Sequence, residues 1–200
     1  MKGVLVVSIG TAALAGLLFG FDTAVIAGVT GDLTRVYGLT PGTLGITVSA
    51  ALWGTLAGAL ATGRPGDRFG SRRVLGALGL FYVAAGIGCA LATDWYAFLA
   101  FRFVCGLAIG GSSVLAPVYI AEIAPPARRG LLVGLFQLAI VTGILVAYLS
   151  NAVVARLVHD AAWRWKLGVT AAPAMVFVAL LARIPDSPRW LLARGREVDA

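Results

Sequence analysis

Charge is what this chain has least of. Asp, Glu, Lys and Arg make up 12% of its 200 residues, and only nine of them are acidic. Soluble domains carry about 25%. There are two cysteines and one histidine. Cys89 and Cys105 both fall inside apolar runs, where a cysteine acts as a small buried hydrophobe. Their spacing supports neither a disulfide nor a metal site. His159 stands alone in a loop. No nucleophile lies beside a base, and no glycine loop leads with a lysine into a helix to cradle phosphate. The sequence therefore offers no catalytic constellation and no cofactor or metal site.

What is abundant is apolar surface. Hydrophobic residues reach 60%, against about 45–50% in soluble domains. Glycine, with 26 copies, is a residue frequent in membrane helices. A single soluble core could not hide this much apolar surface, so the expected class is an all-α, multi-pass membrane protein whose main partner is the lipid bilayer. The formal charge of +7 would point to nucleic acid in a soluble protein. Here the cations cluster in short loops and the aromatics lie within the apolar runs, which excludes a nucleic-acid surface.

A helix needs about 20 apolar residues to cross the hydrocarbon core. Six stretches meet or approach this, at 4–29, 44–62, 74–93, 96–121, 131–155 and 165–183. The start, MKGVLVVSIG, has the lysine-then-apolar look of a signal peptide. Its run is too long for one, and more spans follow, so it reads as a retained first helix. Lys and Arg concentrate in cytoplasmic loops. With the N-terminus inside, Lys2, Arg64, Arg68, Arg72, Arg73, Arg128, Arg129, Arg183, Arg189, Arg194 and Arg196 are inner, whereas Arg35, Arg156, Arg164 and Lys166 are outer. Both termini are thus expected in the cytoplasm, with 30–43 and 156–164 outside the cell membrane. Arg164 and Lys166 run against the rule. The expected division is a six-helix bundle over 1–184 and the start of a cytoplasmic linker over 185–200. In that linker Ser187 and Pro188 resemble an N-cap and first helical residue, and Trp190, Leu191 and Leu192 suit a short interfacial helix.

Two ionisable residues lie deep in these spans. Asp22 is seven residues inside the outer end of the first, in LLFGFDTAVIAG, and Arg102 is seven residues beyond Trp95 in the fourth, in YAFLAFRFVCGLAIGG. At a rise of about 1.5 Å per residue both sit about 10 Å below the outer boundary. Either alone costs about 2.5–3.5 kcal/mol or more at a helix centre. At matched depth they can offset that by pairing. Such charges mark ion pathways and proton relays. Desolvation raises an aspartate's proton affinity and a nearby arginine lowers it, so moving either during a conformational change would load or release a proton. A purely structural ion pair is the plain alternative.

The loop GRPGDRFGSRR resembles the G-R-x-G-D-R-x-G-R-R signature of the major facilitator superfamily. RFVCGLAIGGSSVLAPVYIAEIAPPARRG is similar to the sugar porter signature R-x-x-x-G-x-x-x-G…P-x-Y-x-x-E-x-A-P…R-G. GFDTAVIAG, WRWKLG and PDSPRWL resemble that family's G-Y-D-T-x-V-I-x-G, W-R-W-x-x-G and P-E-S-P-R-W-L. These motifs occur in order over nearly the whole chain. Phe21, Ser71 and Asp186 depart from tyrosine, arginine and glutamate, and Pro65 fills a variable place.

The resemblance implies the six-transmembrane-helix N-terminal half of the major facilitator fold, from a sugar porter and most specifically a sugar/proton symporter working by alternating access. The proton is then the coupling ion, and Asp22 with Arg102 the coupling site. The resemblance assigns Gln137 to sugar binding, with Phe19 as an apolar wall, and implies an inner charge network of Arg64, Asp67, Arg68, Arg73, Glu122 and Arg129 in which Glu122 pairs with Arg129. Gln137 is a lone amide about 9 Å from the inner boundary whose hydrogen-bonding groups need partners. Gly106 and Gly110 form a small-xxx-small stripe for close helix approach, and Pro117 is placed to kink the fourth helix. Because the family has two six-helix halves, the expectation is a missing or separately encoded C-terminal half, without which these residues do not transport. A facilitator of sugars or polyols, a porter of another small solute, and a truncated or sensor membrane protein stay open as alternatives.

Overall fold

The computed structural model describes residues 2–193. Bilayer lipid offers no hydrogen bonds to backbone, so a spanning segment of this composition satisfies itself as helix. Among the described residues six helical segments are long and apolar enough to cross: Leu5–Gly28, Pro41–Ala61, Ser71–Leu91, Trp95–Ile123, Pro126–Leu157 and Ala162–Leu181. The six expected runs fall on these with shifted ends. The third begins before residue 74 because Arg72 and Arg73 lie within its first helical turn, where a charged side chain interrupts the apolar run but not the helix.

In chain order the α-helices are α1 (Lys2–Val25), α2 (Thr30–Tyr37), α3 (Pro41–Ala61), α4 (Gly63–Phe69), α5 (Ser71–Leu91), α6 (Trp95–Ile123), α7 (Arg129–Leu157), α8 (Ala162–Gly168), α9 (Ala171–Leu181) and α10 (Pro188–Ala193). Helices α2 and α4 lie in segments read as loops, and α8 and α9 together make the sixth span. Residues 194–200, including Arg194 and Arg196 of the expected linker, lie outside the described residues.

The sequence sets several helix ends. Thr40 opens α3 with a capping box shared with Thr43, and Pro41 follows it at a position that needs no N–H. Asp94 caps α6 by accepting from the Ala97 N–H at 2.9 Å. Gly38 ends α2 in the left-handed conformation, φ 62°. Pro117 leaves α6 continuous from Trp95 to Ile123.

Close backbone approach positions the spans. Helix α1 packs most extensively on α7, and α3 on α6; α5 packs on α6 and α9. At the α3–α6 crossing, Gly106 lies against the Ala51 backbone, Gly110 against Thr55, Gly54 against Phe103 and Gly58 against Leu107. A side chain at any of the four would run into a carbonyl. The stripe of Gly106 and Gly110 is therefore met by a second glycine pair on the facing helix. Gly20 and Gly143 do the same for α1 and α7, against Ile140 and Leu17. Exchanging the first three spans for the last three maps these two crossings onto each other, the contact pattern of internally repeated transporter folds.

Burial separates inner from outer helices. Over their most apolar stretches the first and fourth spans are 56% and 61% buried, but the second and fifth only 22% and 17%. The ionisable residues thus sit on the two helices the bundle encloses best. Leu52, Trp53, Leu56 and Leu60 of α3, and Leu138, Val141, Leu145 and Leu149 of α7, face outward.

The two cations that run against the loop-charge rule are held by helix ends. Arg164 Nη1 donates to the Ala90 carbonyl at 2.6 Å, near the end of α5, and its guanidinium lies 4.5 Å from the Trp163 ring centroid. Lys166 Nζ donates to the Gly28 carbonyl at 2.8 Å and is 4.0 Å from Asp32. Terminal carbonyls of a helix carry partial negative charge and want such donors. Both cations are structural caps. Beside them Tyr37, Phe98 and Trp163 form an aromatic cluster, and burial raises the Tyr37 phenol above its ordinary pKa.

Candidate coupling and substrate site

Asp22 arrives on α1 and Arg102 on α6, and the structure brings them together. Arg102 Nη1 donates to Asp22 Oδ1 at 2.7 Å, with side-chain exposures of only 3% and 5%. The same oxygen accepts from the Cys105 thiol at 3.3 Å. Arg102 Nε is enclosed and has no hydrogen-bond partner. The guanidinium therefore grips the carboxylate by one nitrogen, without the two-pronged fork usual for such pairs. Tyr82 of α5 is buried over the pair and donates its hydroxyl to the Leu18 carbonyl at 3.3 Å.

A salt bridge buried this far adds little net cohesion, so protonation can shift its balance. Desolvating two ions consumes most of their attraction, so the pair contributes little net stability while remaining costly to break. A proton on Asp22 would cancel the attraction and leave Arg102 uncompensated. The geometry can thus convert protonation into a rearrangement of α1 against α6.

Of the remaining expected residues Phe19 lies a turn from Asp22 on α1, and the others lie on the surface or at the other end of the bundle. Gln137 is exposed on α7, and its amide makes no hydrogen bond to the described residues. Phe19 is half-buried and packs against the main apolar core. Arg64, Asp67, Arg68 and Arg73 are all exposed. Arg68 lies over the Phe69 ring and Arg73 over the Trp190 ring, at 5.3 and 5.8 Å to the centroids.

The expected pairing of Glu122 with Arg129 is not made. Among the described residues no ion pair joins them, and Glu122 Oε2 is enclosed without a hydrogen-bond partner. The physical reason is chain path. Glu122 ends α6, whereas Arg129 starts α7 beyond the turn Pro126–Arg128. The two side chains instead line, without an ion pair, a cavity of about 300 Å³ that Arg189 also lines. A neighbouring cavity of about 360 Å³ gathers Glu122, Asp67, Ser71, Arg189 and Trp190.

Sequence reasoning missed Arg189 and Trp190 as neighbours of Glu122 around these cavities, although both stand in PDSPRWL. Helix α10 docks by Trp190 Nε1 donating to the Asp67 carbonyl at 3.1 Å, with its ring against Gly70, whose φ of 88° suits glycine. Arg72 ties the preceding turn down through the Leu181 and Ala182 carbonyls and a 3.8 Å approach to Asp186. Tyr119 donates to the Pro185 carbonyl at 2.9 Å. The Ser187 hydroxyl is buried and has no hydrogen-bond partner among the described residues, so the expected cap is not made there. Cys105 was read only as a buried hydrophobe. Its signal was its place three residues beyond Arg102, on the same helix face.

Comparison with known proteins places this arrangement. The family model described as "Sugar (and other) transporter" matches residues 9–200. The arabinose-proton symporter of Bacillus subtilis (strain 168) is 39% identical over 195 residues, covering 94% of this chain and 42% of the relative. The galactose-proton symporter of Escherichia coli (strain K12) is 39% identical over 189 residues, covering 94% and 40%. Among solved structures, the proton:xylose symporter XylE bound to 6-bromo-6-deoxy-D-glucose superposes with a TM-score of 0.93 at 32% identity, covering 99% of this chain and 48% of that one. The chain therefore spans about half or less of the length of the relatives it matches, and it has the fold of one six-helix half of a major facilitator transporter.

Proposed function

The chain belongs to the sugar (and other) transporter family, and from that premise we propose that it serves proton-coupled uptake of a sugar by alternating access. The observation that carries the reading is the enclosed Asp22–Arg102 pair at 2.7 Å. A uniporter has no need of an acid desolvated against an arginine, whereas a symporter needs a proton site that senses conformation. Relatives described as arabinose-proton and galactose-proton symporters support it.

In this reading the chain supplies the proton site and one wall of the sugar site, and a second six-helix half supplies the rest, as in transporters whose site lies between two repeats. Gln137, exposed on α7, donates and accepts hydrogen bonds to sugar hydroxyls, and Phe19 gives the ring an apolar surface. The chain lies in the cell membrane with both ends in the cytoplasm, and residues 185–200 begin the linker between halves. Glu122, Asp67, Arg129 and Arg189 around the two inner cavities, with Arg64, Arg68 and Arg73 nearby, form a charge network that holds the inner side closed. Glu122 is its central anion, facing several cations at once.

The test is uptake of labelled hexoses and pentoses into proteoliposomes holding the protein expressed from its intact gene. Asp22→Asn is expected to abolish accumulation under an inward proton gradient while sugar exchange continues. Gln137→Ala is expected to weaken exchange as well, and Glu122→Gln to raise the inward-open population seen by a spin-label distance across the inner side. Undiminished gradient-driven accumulation by Asp22→Asn would refute the coupling role.

A further inference from the structure

We propose that Cys105 is a positioning residue for the proton switch, its thiol holding Asp22 by one oxygen so that the other stays free to take the proton. This rests on the coupling role assigned above to Asp22.

The geometry divides the carboxylate. Oδ1 accepts both from Arg102 Nη1 at 2.7 Å and from Cys105 Sγ at 3.3 Å. Oδ2 accepts from none of the described residues, yet it is not among the fully enclosed unpartnered atoms. Arg102 Nε, by contrast, is enclosed and unspent. Left to itself, a guanidinium forks across both oxygens. Here the thiol, three residues along α6 and therefore on the same face, donates to the same oxygen as the guanidinium. Both donors converge on Oδ1, and Oδ2 is left for the proton.

Other titratable groups around Asp22 do not compete for this role. From α5, Tyr82 and Cys89 face the pair; Tyr82 spends its hydroxyl proton on the Leu18 carbonyl, and neither donates to Asp22. Helix α9 carries no titratable side chain. Those of α7 are Arg129 and Arg156 near its ends and the exposed Tyr148. Lys166 of α8 is committed to the Gly28 carbonyl and Asp32. Cys105 is thus the second donor of the switch.

The chemistry is a plain proton transfer. Water on the outer side delivers a proton to Oδ2, the carboxylate becomes a neutral acid, and the thiol keeps its own proton throughout. As Oδ1 loses its charge, the S–H···O bond weakens.

Infrared difference spectroscopy of the full-length protein during a pH titration reads both partners. The protonated Asp22 carbonyl band is identified by its loss in Asp22→Asn. Cys105→Ala is expected to move the midpoint of that band to higher pH by about half a unit to one unit, the size of one hydrogen bond to the charged form. Cys105→Ser is expected to return it toward or below the wild-type value. In a Cys89→Ala background, the S–H stretch of Cys105 is expected to rise in frequency as the Asp22 band appears, a readout that requires no substitution at residue 105. A midpoint unchanged in Cys105→Ala, or an S–H stretch indifferent to Asp22 protonation, overturns the proposal and leaves the proton switch intact. An Asp22 band that never titrates in the wild type overturns both.

Discussion

Removing one partner of the Asp22–Arg102 pair tests how dry its surroundings are. At 2.7 Å and an effective dielectric of about 20, the gross attraction is about 6 kcal/mol. Desolvation offsets most of that, so the net contribution of the intact pair is small. Breaking it is another matter. With Arg102 only 2% exposed, Asp22→Ala strands a cation, at an expected cost of about 3–5 kcal/mol. At about 2–4 °C per kcal/mol for a domain of this size, the unfolding midpoint falls by about 6–20 °C. Arg102→Met is expected to cost as much by stranding the acid. The double variant Asp22→Leu/Arg102→Met should recover most of the loss, because two apolar side chains need no compensation. Scanning fluorimetry on intrinsic tryptophan follows this, since Trp163 is buried beside Tyr37 and Phe98. Single variants that each cost under about 1 kcal/mol, the range of hydrated surface pairs, would show that water already reaches the charges. That result would refute the argument from desolvation.

Two further expectations follow from the packing and the loops. Gly106→Val drives a side chain into the Ala51 backbone and is expected to destabilise by about 1–3 kcal/mol or more, whereas Gly76→Ala, with nothing within 4 Å of its added carbon, should leave the midpoint of thermal unfolding unchanged or slightly raised; equal effects would remove the α3–α6 contact as the cause. With the buried Cys89 and Cys105 as silent background, an impermeant maleimide on intact cells should label Arg35→Cys, and Gly130→Cys only after permeabilisation. The reverse pattern would invert the topology.

The spans, and the depth of Asp22 and Arg102 within them, were legible in the sequence because both are one-dimensional quantities. A run of apolar residues has a length, and a residue's distance from the end of its run becomes depth through the helical rise. The one cap expected from the sequence, Ser187, is not made among the described residues, whereas Thr40 and Asp94, which the sequence reading passed over, cap α3 and α6. The motifs carried the family across nearly the whole chain. What depth cannot say is which way a side chain faces around its helix, and that is decided where glycines let backbones meet. The contact of Gly106 and Gly110 with α3, and of Gly20 and Gly143 across α1 and α7, sets the rotation of each helix about its axis. That rotation turned Arg102 and Cys105 together onto one oxygen of Asp22. It also made caps of Arg164 and Lys166, which loop-charge counting had set down as exceptions, because a terminal carbonyl from a distant helix is invisible along the chain. Glu122 and Arg129 stand near each other in sequence, separated by the turn between α6 and α7, and line one cavity without forming an ion pair. Charge and depth were written in the order of residues. Partnership came from packing, because a hydrogen bond requires two surfaces to meet within about 3 Å, and only the tertiary fold brings them there.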